Sequence, residues 1–191
     1  MTVRRILGVD PGLRITGYGV IECSGERYRL VEGGVLEPRV GLPLEQRLTQ
    51  LHAAMVEVVV ATRPDCMVVE ELWTSYKNPT TAVLMGHARG VIALAAGANG
   101  VAMEHLAHSL VKRVLAGSGA AGKAQVGRMV VQMLGLGAPP QPVDVSDALA
   151  LAIAYANVEA QRTRFAHAGL TVPRRRTRRR PLASERRVLA H

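Results

Sequence analysis

The chain has 191 residues, 48% of them apolar and 3% aromatic, with a formal net charge of +9 and two cysteines. A chain this long suits one domain that buries roughly 70% of its unfolded surface without disulfides or a structural metal. A disulfide-stapled secreted scaffold and a disordered chain are therefore excluded, and Cys23 and Cys66, each inside an apolar stretch, are expected to be reduced and buried.

The apolar segment after Arg4 and Arg5 is broken by Asp10, well short of the h-region of a signal peptide. The longest weakly polar stretch, Val91 to Met103, contains Gly97, Asn99 and Gly100 and falls below the roughly 20 residues needed to cross a bilayer. A cytoplasmic location with no membrane contact is expected.

Ile6-Leu7-Gly8-Val9 reads as a buried strand that Asp10 closes and Pro11-Gly12 stops. Gly17 to Ile21 and Tyr28 to Leu36 read as two more strands, joined as a hairpin near Ser24-Gly25-Glu26. Leu44, Leu48, Leu51, Met55, Val58 and Val59 then repeat at helical steps until Arg63-Pro64. Cys66-Met67-Val68-Val69 is another buried strand, ending at Glu70. A helix rich in small residues runs from Asn78-Pro79 to about Ala96, and Val101-Ala102-Met103 is a short fifth strand. Shorter helices over Ser109 to Ala116 and Lys123 to Leu134 lead through Pro139-Pro140 to a last helix, from about Asp144 to Arg164. This order predicts an α/β domain over residues 1–165, a mixed five-stranded sheet flanked by helices, as in the ribonuclease H-like fold.

Residues 173–191 hold eight arginines and one acid, which leaves only +2 for the remainder. Residues 166–191 are accordingly read as a basic, disordered tail suited to phosphate contact.

Asp10 and Glu70 end the two buried strands, and Asp144 and Asp147, three apart, share a face in the first turn of the last helix. If those places meet, four carboxylates gather with no fixed cation among them, and like charges at short range repel unless a metal intervenes. Hard oxygen ligands suit Mg²⁺ or Mn²⁺. Each acid also has an ordinary explanation: Asp-Pro-Gly is a common turn, Asp144 suits a helix N-cap, Asp147 suits the macrodipole, and Glu71 competes with Glu70. Their joint occurrence at three meeting points favours the site. Gly117 to Lys123 has the spacing of a phosphate-binding P-loop, but position 124 is Ala rather than a hydroxyl residue and a helix rather than a strand precedes it. Nucleotide binding is not expected there, and the glycines read as a flexible loop whose amides can cradle a DNA phosphate.

Several segments together resemble the RuvC-type Holliday-junction resolvases of bacteria. They are Leu7 to Gly12, Thr16 to Gly19, Val69 to Glu71, Lys77-Asn78, Gly86, Ala88 to Gly90, Val111-Lys112, Lys123 with Gln125-Val126, and Asp144 with Asp147 to Ala150. The resemblance spans about residues 3–160 and departs at His87 and around His105 to Leu110. It implies a homodimeric endonuclease that nicks four-way DNA junctions symmetrically, uses Mg²⁺ or Mn²⁺, and cooperates with RuvA and RuvB; the chemistry itself suits two such ions per site, one activating water and one stabilising the leaving 3′ oxygen. The family's catalytic and metal-binding acids correspond to Asp10, Glu70, Asp144 and Asp147. DNA contacts are expected at Lys77, Arg89, Lys112 and Lys123, and at a stacking aromatic that is Trp73 or Tyr76. Two other nucleic-acid readings remain, a YqgF-like nuclease acting on RNA and a non-catalytic basic DNA-binding module. An actin-like kinase, which also uses a strand followed by Asp-x-Gly, needs a second half for which this length leaves no room.

Overall fold

The computed structural model describes residues 3–71 and 79–168. Trp73, Tyr76, Lys77 and the Arg-rich segment from 173 onward lie outside the described residues. The elements are β1 (Arg4–Asp10), β2 (Thr16–Ser24), β3 (Arg27–Leu36), α1 (Leu44–Thr62), β4 (Cys66–Glu70), α2 (Pro79–Ala98), β5 (Ala102–Leu106), α3 (His108–Ala116), α4 (Lys123–Leu134) and α5 (Val143–His167). They form one five-stranded sheet of order β3-β2-β1-β4-β5. The first three strands are an antiparallel meander, and β1, β4 and β5 run parallel.

Both faces of the sheet are covered, which explains why β1 and β4 are continuous apolar runs rather than alternating ones. Ile6 and Val68 pack toward α3, α4 and α5 in one core, while Leu7, Val9, Met67 and Val69 pack toward α1 and α2 in the other. Alternation along each strand then decides which face its last residue shares. Gly8 and Val68 face α5, and two residues further on so do Asp10 and Glu70.

Glycine in the sheet lets α5 lie directly on it. A methyl group on Gly8 would stand 2.0 Å from the carbonyl oxygen of Ala148, and one on Gly17 would stand 2.2 Å from that of Asp144. Gly17 is the register partner of Asp10, so this close approach sets the start of α5 beside the end of β1.

Four expectations are corrected. β5 continues to Leu106 because its pairing with β4 persists through Glu104 and His105, polar residues of an edge strand that carry no apolar signal. The N-cap of α5 is Pro142, so Asp144 is its second residue and Asp147 its fifth, beyond the first turn. The helix reaches His167, past the boundary expected at 165. Cys66 is buried as expected, but Cys23 is only partly so. By length and composition α2 is also apolar enough to cross a membrane, a possibility that the shorter window over Val91 to Met103 hid. In this fold its Ala88, Ile92, Ala95 and Ala96 are buried in the core beneath the sheet.

Two glycine substitutions separate packing from propensity. Gly8→Ala must push α5 off the sheet and should cost on the order of 3 kcal/mol or more. Gly127→Ala, in the middle of α4 with open space around it, should be neutral or stabilise by roughly 0.5–1 kcal/mol. Urea unfolding of both variants checks the pair; equal effects would mean that α5 does not rest on the strand.

Candidate active site

Parallel pairing of β1 with β4 runs to Val9 opposite Val69, so the next residues, Asp10 and Glu70, stand side by side at the strand ends. The register also separates Glu70 from its neighbour: Glu71 follows on the opposite face, and its backbone N–H donates to the Leu106 carbonyl at 2.7 Å. Asp147 reaches Asp10 and Glu70 from α5, whereas Asp144, nearly one turn earlier, adds its charge to Asp10 without lining the cleft. Asp10, Glu70 and Asp147 line a cleft of about 160 Å³ together with His108, Lys112 and Lys123, and Val111, Val126, Ala150 and Leu151 form its apolar wall.

The electrostatics agree with this gathering. The carboxyl of Asp10 is pushed up to about 7, first by burial and then by the charges of Asp147, Glu70 and Asp144, with Lys123 only partly offsetting them. Lys123 opens α4 and donates from Nζ to Oδ2 of Asp147 at 2.7 Å, a bond that holds its ammonium above the usual lysine range. Lys112, expected near a loop, lies within α3 and lines the same cleft. Gly117 to Lys123 joins α3 to α4, so it follows a helix and lacks P-loop architecture.

Arg89, expected as a DNA contact, has internal partners in this fold. It is buried, its Nη1 donates to the backbone carbonyl of Glu70, and its Nη2 donates to Nδ1 of His105 at 3.0 Å. The guanidinium thus ties α2 to the ends of β4 and β5, next to a candidate metal-binding acid. His108 was missed as a site residue because histidine spacing along the chain gives no metal signal. The fold places its Nδ1 2.9 Å from Oε1 of Glu70.

Among the described residues no three Asp, Glu, His or Cys side chains are arranged closely enough to hold a metal ion together. Glu70 turns to His108 and Asp147 to Lys123. The donor set nevertheless fits a hard divalent cation: it is rich in carboxylate oxygen, and such an ion relieves both the burial and the neighbouring negative charge that raise Asp10.

A mixed 3-2-1-4-5 sheet with acids at the ends of its first and fourth strands, beneath an acidic last helix, defines a nuclease of the ribonuclease H-like fold. The model of the family described as "Crossover junction endodeoxyribonuclease RuvC" matches residues 6–155. The chain belongs to that RuvC family. It is 45% identical over 148 residues to the RuvC of Rhodopirellula baltica, covering 78% of this chain and 83% of that one. Identity to the RuvC of Pelotomaculum thermopropionicum is also 45%, over 80% of this chain and 92% of the relative. The structure resembles Thermus thermophilus RuvC in complex with a Holliday junction substrate, with a TM-score of 0.79 and 34% identity over 84% of this chain and 97% of that one. The yeast mitochondrial resolvase Ydc2, 12% identical with a TM-score of 0.63 over 86% of this chain and 84% of that one, shares the fold.

A pH-dependent stability follows from the displaced Asp10. Its carboxyl ionises near 3.8 when unfolded and near 7 when folded, so between those values the native state holds the extra proton and stability falls as pH rises. Above both values the whole penalty is present. In chelator, Asp10→Asn should therefore be more stable than the parent at pH 8 by roughly 2 to 4 kcal/mol, and the gain should vanish as pH falls toward 4. Urea midpoints across pH test this; a gain independent of pH would remove the carboxylate field.

Proposed function

We propose that this protein resolves four-way DNA junctions by metal-dependent nicking of two strands at symmetric positions during recombination and repair. The observation that carries the reading is the meeting of Asp10, Glu70 and Asp147 in one cleft with Lys112 and Lys123. Asp10, Glu70, Asp144 and Asp147 are the catalytic acids, and each serves by holding metal. Nucleases of this family are metal-dependent, and Mg²⁺ or Mn²⁺, two ions per site, would supply an activated water and charge relief at the leaving 3′ oxygen. The acids fix the place of that chemistry at the end of the sheet. Lys112 and Lys123 attract and orient the phosphate, a positioning role that carries no sequence information. Trp73 or Tyr76 supplies a stacking surface at the junction, Lys77 a further phosphate contact, and the Arg-rich residues 173–191 a phosphate-binding tail. Action on chromosomal DNA in the cytoplasm, alongside RuvA and RuvB, completes the reading.

Junction symmetry favours a homodimer, because two equivalent sites then meet two equivalent strands. The side of α2 turned away from the core supports this: Val83 and Leu94 are 59% and 60% exposed on a long apolar helix, the kind of surface that a partner covers.

The nicking test uses labelled four-way DNA, linear duplex and a matched RNA junction with Mg²⁺. The parent should cut only the DNA junction. Asp10→Asn, Glu70→Gln, Asp144→Asn and Asp147→Asn should each lower cutting at least a hundredfold while junction binding holds or tightens, whereas Glu71→Gln should change little. Preferred cutting of RNA would shift the substrate class, and full turnover in two of the acid variants would remove the metal-site assignment.

The dimer is tested separately. The double substitution Val83→Glu and Leu94→Glu should give monomers by sedimentation at micromolar concentration, with the two nicks becoming uncoupled. A monomeric parent would overturn the dimer.

A further inference from the structure

His108 is a cleft residue for which the proposed reaction has no use. β5 ends at Leu106, the register partner of Glu70, so the first residue of α3, two positions on, falls beside the Glu70 carboxylate. The contact is direct, with Nδ1 2.9 Å from Oε1. His108 lines the cleft with Asp10 and Asp147, and also an adjoining recess with Glu70, Ser109 and Gly119. It lies within His105 to Leu110, where this sequence departs from the family pattern.

Two donors bound side by side on an octahedral ion, each about 2.1 Å from it, stand about 3.0 Å apart. The observed separation of imidazole nitrogen and carboxylate oxygen therefore matches neighbouring ligands of one ion as well as it matches a hydrogen bond. We propose that His108 is a ligand of the ion that Glu70 holds, adding an imidazole nitrogen to a site otherwise made of oxygen. The proposal rests on the metal-site reading above and deepens it. Its consequence is selectivity: both ions take carboxylate oxygen, but Mn²⁺ accepts an imidazole nitrogen beside carboxylates more readily than the harder Mg²⁺, which keeps to oxygen and water, so His108 makes this chain favour Mn²⁺ over Mg²⁺ beyond what its acids alone would do. If His108 merely oriented Glu70 through a hydrogen bond, both metals would depend on it equally.

The experiment uses the full chain, stripped of metal and free of DNA, titrated with Mn²⁺ and followed by electron paramagnetic resonance. Mg²⁺ affinity is read by competition. Pulsed measurements on the Mn²⁺-loaded parent should show coupling to a directly bound nitrogen, which ¹⁵N-histidine labelling should shift. His108→Ala should lose the coupling and bind Mn²⁺ about tenfold more weakly, with Mg²⁺ affinity changed less than about twofold. Absence of nitrogen coupling in the parent overturns the proposal even if the variant does not fold. So does coupling that persists in His108→Ala, or an equal loss for the two metals. Junction nicking by the parent in Mg²⁺ is scored alongside. If nicking is intact but the nitrogen signal is missing, only the role of His108 fails; if no metal supports nicking, the function beneath it fails.

Discussion

The site depends on the close approach of α5 to the sheet at the two places, Gly8 and Gly17, where the strand carries no side chain. Gly8 leaves room for the carbonyl of Ala148, and Gly17 leaves room for that of Asp144. With side chains at those positions the helix would stand further off, and acids on the two elements would separate. The same contact builds the larger core, since α5 buries Val145, Leu149 and Ile153 against Ile6, Ile21 and Val68. Stability and the placing of the acids thus rest on one surface, and a change that loosens packing there reaches the chemistry directly.

The fold assembles this negative charge against its own electrostatic interest. Asp10 bears most of the strain, being the acid that combines burial with three carboxylate neighbours. Contrary to the expectation of a cluster with no fixed cation, cationic and polar partners reach in among the acids. Lys123 holds Asp147 from the start of α4, and His108 meets Glu70 from the start of α3. Arg89 reaches the backbone of Glu70 from beneath the sheet. A buried guanidinium bound to the terminal carbonyl of a strand restrains where the strand ends, beside the Glu70 side chain.

The two faces of the sheet divide the labour. α3, α4 and α5 surround the cleft on one side, whereas α1 and α2 pack on the other and leave an apolar helix surface uncovered. Net charge is divided similarly, since the terminal arginines account for most of the excess and leave the remainder close to neutral. In the proposed reading, general attraction to phosphate and placement of one phosphate at the acids are therefore separable properties. The first follows counterion release along the chain, and the second follows the geometry of a few groups.

Element order, the two doubly covered strands and the acids at their ends were legible in the sequence because each leaves a local mark: an apolar run, a turn signal, or a carboxylate where polarity changes. α1 and α4 have the bounds that their periodicity and flanking breakers predict. Tertiary structure decided what local marks cannot carry. An edge strand with Glu104 and His105 looks like a loop until its pairing with β4 is seen. Arg89 looks like a DNA contact until burial turns its guanidinium inward. His108 has no metal-ligand spacing along the chain, and only the parallel register of β4 and β5 brings it to Glu70. In each case the deciding partner lies far away along the chain, and periodicity reports only which face a residue takes, not what the rest of the chain sets against that face.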